Sequence, residues 1–261
     1  MSFSKFDQLC QIKEVPAFPE GHPFFNLPGK VRGITQIPGT LHVHIIADDS
    51  GSMWATDQGE SQPRYLEQRD RLTEVAEWAL SLNVPVYFST LNDSHKMVQL
   101  NPENGHQFVY KALSTLKYGY TPLYDTLYPI LNYHHALDAN GQLQSEKVTK
   151  LIFIGTDGAP STTTGLDDKA RFKNLVLHER DPQHNHLVFL ACVGGDKQKQ
   201  DHPLNYINEL DTCPYIDCFD DFNNEKEEVN ADMRGQYTVG VNILRMFAST
   251  FYQELDNLDE H

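Results

Sequence analysis

From residue 38 to near the end of this 261-residue chain, short apolar runs alternate with stretches whose apolar residues recur every three or four positions. The short runs read as strands and the longer period as amphipathic helices. Leu41 to Ala47 is a strand on this reading, followed by a helix over Arg64 to Leu82 with Tyr65, Leu72, Val75, Ala76 and Ala79 on one face. Pro85 to Thr90 is a second strand. Lys96 to Leu100 is a short third, returning after the Asn92-Asp93-Ser94 turn as an antiparallel hairpin. Helices are expected over Phe108 to Leu116 and Pro122 to Leu137. Pro129 should kink or divide the latter, because it removes the hydrogen bond to Asp125. Val148 to Gly155 is a strand, Asp167 to Arg180 a helix, and His186 to Gly194 a strand. A short helix over Leu204 to Leu210 and a strand over Tyr215 to Phe219 follow. Thr238 to Leu255 is the last helix, with Val241, Leu244, Phe247, Ala248 and Phe251 on its inner face. Strand–helix alternation of this kind implies an α/β domain: a mostly parallel sheet with helices on both faces.

Residues 1–37 break the pattern. Pro16, Pro19, Pro23 and Pro28, interleaved with Gly21, Gly29 and Gly33, suit an irregular arm with short extended pieces. The expected organisation is therefore an N-terminal arm over 1–37 and one domain over 38–261.

Charge narrows the partners. A formal net charge of −15 argues against nucleic acid and anionic membrane surfaces, both of which would repel the chain. No window approaches the ~18 apolar residues that a spanning helix needs, so membrane insertion is not expected. The N-terminus lacks a secretory apolar core, and four cysteines in a chain of this size make no disulfide framework. Cys192 lies within an apolar run and reads as a buried thiol. The expected location is the cytoplasm.

Candidate chemistry sits just past two strand ends. Asp48-Asp49-Ser50-Gly51-Ser52-Met53 follows the first strand directly, and Thr156-Asp157-Gly158 closes the strand that begins near Val148. Between them, Tyr118-Gly119-Tyr120-Thr121-Pro122 supplies a further hydroxyl, with Thr121 and Pro122 expected as the N-cap and first residue of a helix. By itself a strand ending in Asp-Asp-Ser-Gly-Ser is also a turn rich in capping residues. His42 and His44, alternating on the first strand, are expected as hydrogen-bonded core residues, not ligands.

Taken together, the three segments resemble the metal-ion-dependent adhesion site of the von Willebrand factor A (vWA) domain family, whose pattern is Asp-x-Ser-x-Ser, then Thr, then Asp. It falls here on Asp48, Ser50, Ser52, Thr121 and Asp157. The resemblance implies a doubly wound, Rossmann-like sheet of six strands in the order 3-2-1-4-5-6, with one antiparallel edge strand. Winding in that order reverses between the first and fourth strands, which opens a crevice at their carboxyl ends. Asp48 and Asp157 are the first acidic residues beyond those two ends. The resemblance also implies that Ser50, Ser52 and Thr121 bind metal directly while Asp48 and Asp157 act through bound water. An all-oxygen set favours Mg²⁺, with Mn²⁺ or Ca²⁺ as alternatives, over zinc or copper.

Two classes of function follow from this. The first is a non-catalytic module that binds a protein partner, an Asp or Glu carboxylate in a basic surround completing the metal shell. The alternative is a magnesium-dependent hydrolase or phosphoryl-transfer enzyme, with Asp48 or Asp49 as nucleophile or base. By analogy with some vWA relatives, the last helix, Thr238 to Leu255, is a candidate affinity switch.

Overall fold

The structure, a computed structural model, describes residues 40–57, 62–81, 84–92, 97–115, 118–137, 141–192, 206, 210 and 216–219. The N-terminal arm and the expected last helix lie outside these residues, as does most of the short helix expected over Leu204 to Leu210.

Strand β1, Thr40–Ala47, is the centre of the sheet. Helix α1, Arg64–Ser81, returns the chain to β2, Val86–Thr90, which lies parallel to β1 in the register Val43 to Val86 and Ala47 to Thr90. Strand β3, Val98–Gln99, turns back antiparallel on β2 at the edge. Helices α2, Gly105–Leu113, and α3, Leu123–Asn132, precede strand β4, His135–Leu137, and the long strand β5, Leu143–Thr156. Helix α4, Lys169–Asn174, runs into a π-helical turn over Leu175–Glu179, and β6, Asn185–Ala191, and β7, Ile216–Phe219, complete the sheet.

The sheet runs β3-β2-β1-β5-β6-β7, parallel apart from β3, with β4 paired antiparallel to β5 off that path. The order differs in number from the expected 3-2-1-4-5-6 because an unforeseen strand, β4, enters the chain before the strand expected at Val148; β4 stands off the path, and that strand still pairs directly with β1. The segment expected to be helical from Pro122 to Leu137 carries Pro129 and stops at Asn132. The chain beyond it is extended and forms β4, which begins at His135. β5 also begins five residues earlier than expected, at Leu143 rather than Val148, and the extra length is what β4 pairs with.

Side-chain alternation along the strands sends two apolar sets to opposite faces. Val43, Ile45, Leu151 and Phe153 pack with Leu72, Val75, Ala76 and Ala79 of α1 and with Val109 and Leu113 of α2. Ile46, Ile152 and Ile154 pack with Leu123, Leu127, Ile130 and Leu131 of α3 and with Phe172, Leu175 and Val176 beyond it. Each Val, Leu, Ile or Phe side chain among them contributes about 1.5–3 kcal/mol on burial, so the two layers hold the strand ends in place.

The second face is polar near the start of the strands. His42 and His44 are buried there, and the Tyr133 hydroxyl lies 2.9 Å from His42 Nδ1 and 2.7 Å from His44 Nε2. Lys150, also buried, donates to the Ile130 and Leu131 carbonyls at the end of α3 and stands over the Tyr133 ring. The two histidines are thus hydrogen-bonded core residues, as their alternation on a covered strand suggests. Among the described residues no helix is long and apolar enough to cross a membrane.

Candidate metal centre

β1 and β5 are neighbours in the sheet, but the chain leaves them in opposite directions, toward β2 and toward β6. Their carboxyl ends therefore flank a crevice of the kind that binds ligands in open α/β sheets. The register pairs Ala47 with Gly155, so Asp48 and Thr156 emerge side by side.

Asp48 is fully buried. Its Oδ1 accepts the Ser50 N–H at 2.8 Å, an Asx turn that bends the chain off the strand. Its Oδ2 accepts the Thr156 hydroxyl at 2.7 Å, and its main chain is clamped by Gln68, which accepts from the Asp48 N–H and donates to its carbonyl. Gln68 reaches that position because residue 155 is glycine: a Cβ there would stand 2.7 Å from Gln68 Oε1. The chain then enters a 3₁₀ turn, Gly51–Trp54, with Met53 buried beneath it. The Ser50 and Ser52 hydroxyls lie 3.0 Å apart, and Ser52 donates to Asp157 Oδ1 at 2.8 Å.

Thr121 arrives from the other side. It is not the N-cap expected from the Thr-Pro pair: the cap is Pro122, and α3 begins at Leu123. Its backbone is fixed by Ser161, whose Oγ accepts the Thr121 N–H while the Ser161 N–H donates to the Thr121 carbonyl, both at 2.9 Å. Its hydroxyl stands 3.8 Å from where a Cβ on Gly158 would be, beside Asp157. The loop before it is tied to the serine turn by a 3.1 Å bond from the Gly51 N–H to the Gly119 carbonyl. All five sequence-selected residues thus meet at one end of the β1–β5 crevice.

Burial pushes the Asp48 carboxyl up to about 7, and the neighbouring negative charge of Asp157 adds to the rise. The bonds from Ser50 and Thr156 oppose it. Asp157 is also raised by burial, against the bonds from Arg64 and Ser52. Two buried carboxylates so placed repel each other, and a cation between them would relieve both the repulsion and the desolvation. The donors are hydroxyl and carboxylate oxygens only, which fits a hard divalent ion. No group of three or more His, Cys, Asp or Glu side chains that could hold a metal occurs among the described residues. This centre has two carboxylates and relies on hydroxyls for the rest.

Several residues of the site, Asn92, Arg64, Thr156 and Gln68, were not found from the sequence. Asn92 donates its backbone and side-chain N–H to Asp49, the free position of the motif, at 2.9 and 2.8 Å, and donates also to the Tyr120 carbonyl. Arg64 donates to Asp157 Oδ2 at 2.8 Å and to both oxygens of Asp57. Thr156 and Gln68 hold Asp48 as described. Only Gln68 left a signal: it lies on the apolar stripe of α1, four positions before Leu72, where a polar residue needs a buried partner. The rim is aromatic. Trp54 stacks on Tyr118, with ring centroids 5.7 Å apart, and the two are 40% and 78% exposed.

No family model matches the chain, and no curated protein does. Among solved structures it is similar to the pilus adhesin SpaC from Lactobacillus rhamnosus GG, with a TM-score of 0.50 and 13% identity over 80% of this chain and 31% of that one. A looser likeness links it to proximal thread matrix protein 1 from the mussel byssus, with a TM-score of 0.45 and 11% identity over 75% of this chain and 47% of that one. The chain thus spans less than half the length of either protein, and the likeness to the adhesin concerns fold alone: a mixed α/β domain around a mostly parallel sheet.

Proposed function

We propose that the chain is a non-catalytic protein-binding module with a Rossmann-like vWA fold. It would engage an Asp or Glu carboxylate of its partner through a divalent cation, Mg²⁺ in the first instance. Asp48, Ser50, Ser52, Thr121 and Asp157 would hold the ion. The observation that carries this reading is the meeting of these five residues, from three distant segments, at the carboxyl ends of β1 and β5. Hydroxyls are weak neutral ligands, so two aspartates neutralise the ion and leave it electrophilic toward an outside carboxylate. The exposed Trp54–Tyr118 pair supplies apolar contact area beside the metal, as interface rims with aromatic anchors do. Because the chain carries a net charge of −15, the partner's acceptor is expected within a basic surround. The free, buried Cys192 accords with a cytoplasmic setting.

The test is affinity capture from native lysate in Mg²⁺ and in EDTA, with Asp157→Ala run alongside. Partners lost both in EDTA and in the variant are expected. Partners retained in both conditions would sink the metal bridge.

A further inference from the structure

Arg64 is the first residue of α1, and its N–H donates to the Ala55 carbonyl at 3.0 Å, tying the start of the helix to the end of the serine turn. All three guanidinium nitrogens are engaged. Nε and Nη2 form a fork on Asp57, and Nη1 donates to Asp157 Oδ2 at 2.8 Å. Asp157 is therefore shared, with Oδ1 accepting from Ser52 and Oδ2 from Arg64. A guanidinium cannot lose its proton at physiological pH, so this positive charge is permanent. The Asp157 side chain is wholly buried and that of Arg64 is 18% exposed, so screening by water and salt is weak there.

We infer that Arg64 is a resident counter-cation of the metal centre, which competes with the divalent ion for Asp157 and keeps metal affinity low. This rests on the metal reading above and adds a specific determinant to it. Asp57 and Asp157 bring two formal negative charges to the guanidinium, and Arg64 cancels one of them. A bound ion then meets less negative charge and stays receptive to an outside carboxylate. Asp57 acts in the opposite sense, because it holds part of the guanidinium away from Asp157.

Calorimetric titration with Mn²⁺ alone, on the full chain, tests this. Arg64→Gln should bind Mn²⁺ roughly tenfold or more tightly than the wild type, and Arg64→Lys, which keeps the charge, should stay near it. Asp57→Asn should weaken Mn²⁺ binding. Thermal unfolding in EDTA, repeated with Mn²⁺, gives a second readout: the metal-induced rise in Tm should be larger for Arg64→Gln than for the wild type. Equal or weaker binding by Arg64→Gln, or unchanged binding by Asp57→Asn should Arg64→Gln not fold, would overturn the role of Arg64. Failure of the metal reading itself looks different. In that case Mn²⁺ binding would survive Ser50→Ala with Ser52→Ala, or be absent from wild type and Arg64→Gln alike.

Discussion

Thr156 donates its hydroxyl to Asp48 Oδ2 at 2.7 Å, joining two residues 108 positions apart across the reversal point of the sheet. The bond belongs to the neighbouring register of β1 and β5, and with those from Ser50 it favours the ionised form of Asp48 against the burial that raises the carboxyl to about 7. Thr156→Val keeps the shape of the side chain and removes the donor. A loss of about 1–3 kcal/mol in folding stability is expected, together with weaker Mn²⁺ binding. Urea unfolding and calorimetry would show it, and unchanged values in both would remove Thr156 from the site.

Asn92 makes a different connection. Its side-chain N–H₂ bridges Asp49 to the Tyr120 carbonyl, tying the end of β1 to the loop that carries Thr121. Asn92→Ala leaves the Asp49 carboxylate with fewer donors and frees that loop. The expected result is a loss of about 1–3 kcal/mol and a fall in metal affinity, although Asn92 is not a ligand. Metal binding equal to wild type would show that Thr121 is positioned without it.

Asp157→Ala should separate function from stability. It removes a metal carboxylate but also removes the charge that adds to the effect of burial in raising Asp48, and Arg64 keeps its fork on Asp57. In EDTA the midpoint of thermal unfolding should stay close to wild type, while the stabilisation produced by Mg²⁺ disappears. Mg²⁺ stabilisation of equal size in the variant would place the ion elsewhere.

The buried histidines set an acid limit. Burial, aided by the charge of Lys150, lowers His42 from 6.5 to about 4, and burial holds His44 well below its usual value. Between those pH values the unfolded chain takes up a proton that the folded chain refuses. Stability should therefore fall as the pH drops from 6.5 toward 4, by on the order of 3 kcal/mol for His42. Urea midpoints across that range measure the slope. His42→Gln should flatten it, and an identical slope in the variant would assign the acid sensitivity to other groups.

Element type was legible in the sequence because it depends on local period. The apolar run Leu41 to Ala47 specifies a strand covered on both faces, and the stripe of α1 a helix with one buried side. Pro129 marked α3 as an element that would be interrupted, but whether the chain beyond it stayed helical was not local information. It depended on the first half of β5 offering an open edge to β4. In the same way, Thr121 and Pro122 look like a cap and a first turn in isolation, yet the bonds from Ser161 fix Thr121 one residue ahead of the cap.

The candidate site divides along the same line. Asp48, Ser50, Ser52, Thr121 and Asp157 could be named from the sequence because each sits in a short pattern next to a strand end or a helix start. Of what surrounds them only Gln68 left a trace, as a polar residue on the stripe of α1, since Thr156, Asn92 and Arg64 act through contacts made only once the strands are in register and α1 has packed. The charge of the centre shows this most plainly. The sequence alone determined two aspartates at two strand ends. That a permanent cation, Arg64, stands against one of them was decided only by the tertiary structure, because a side chain 93 residues away in the chain comes within a hydrogen bond only after the sheet and α1 are assembled.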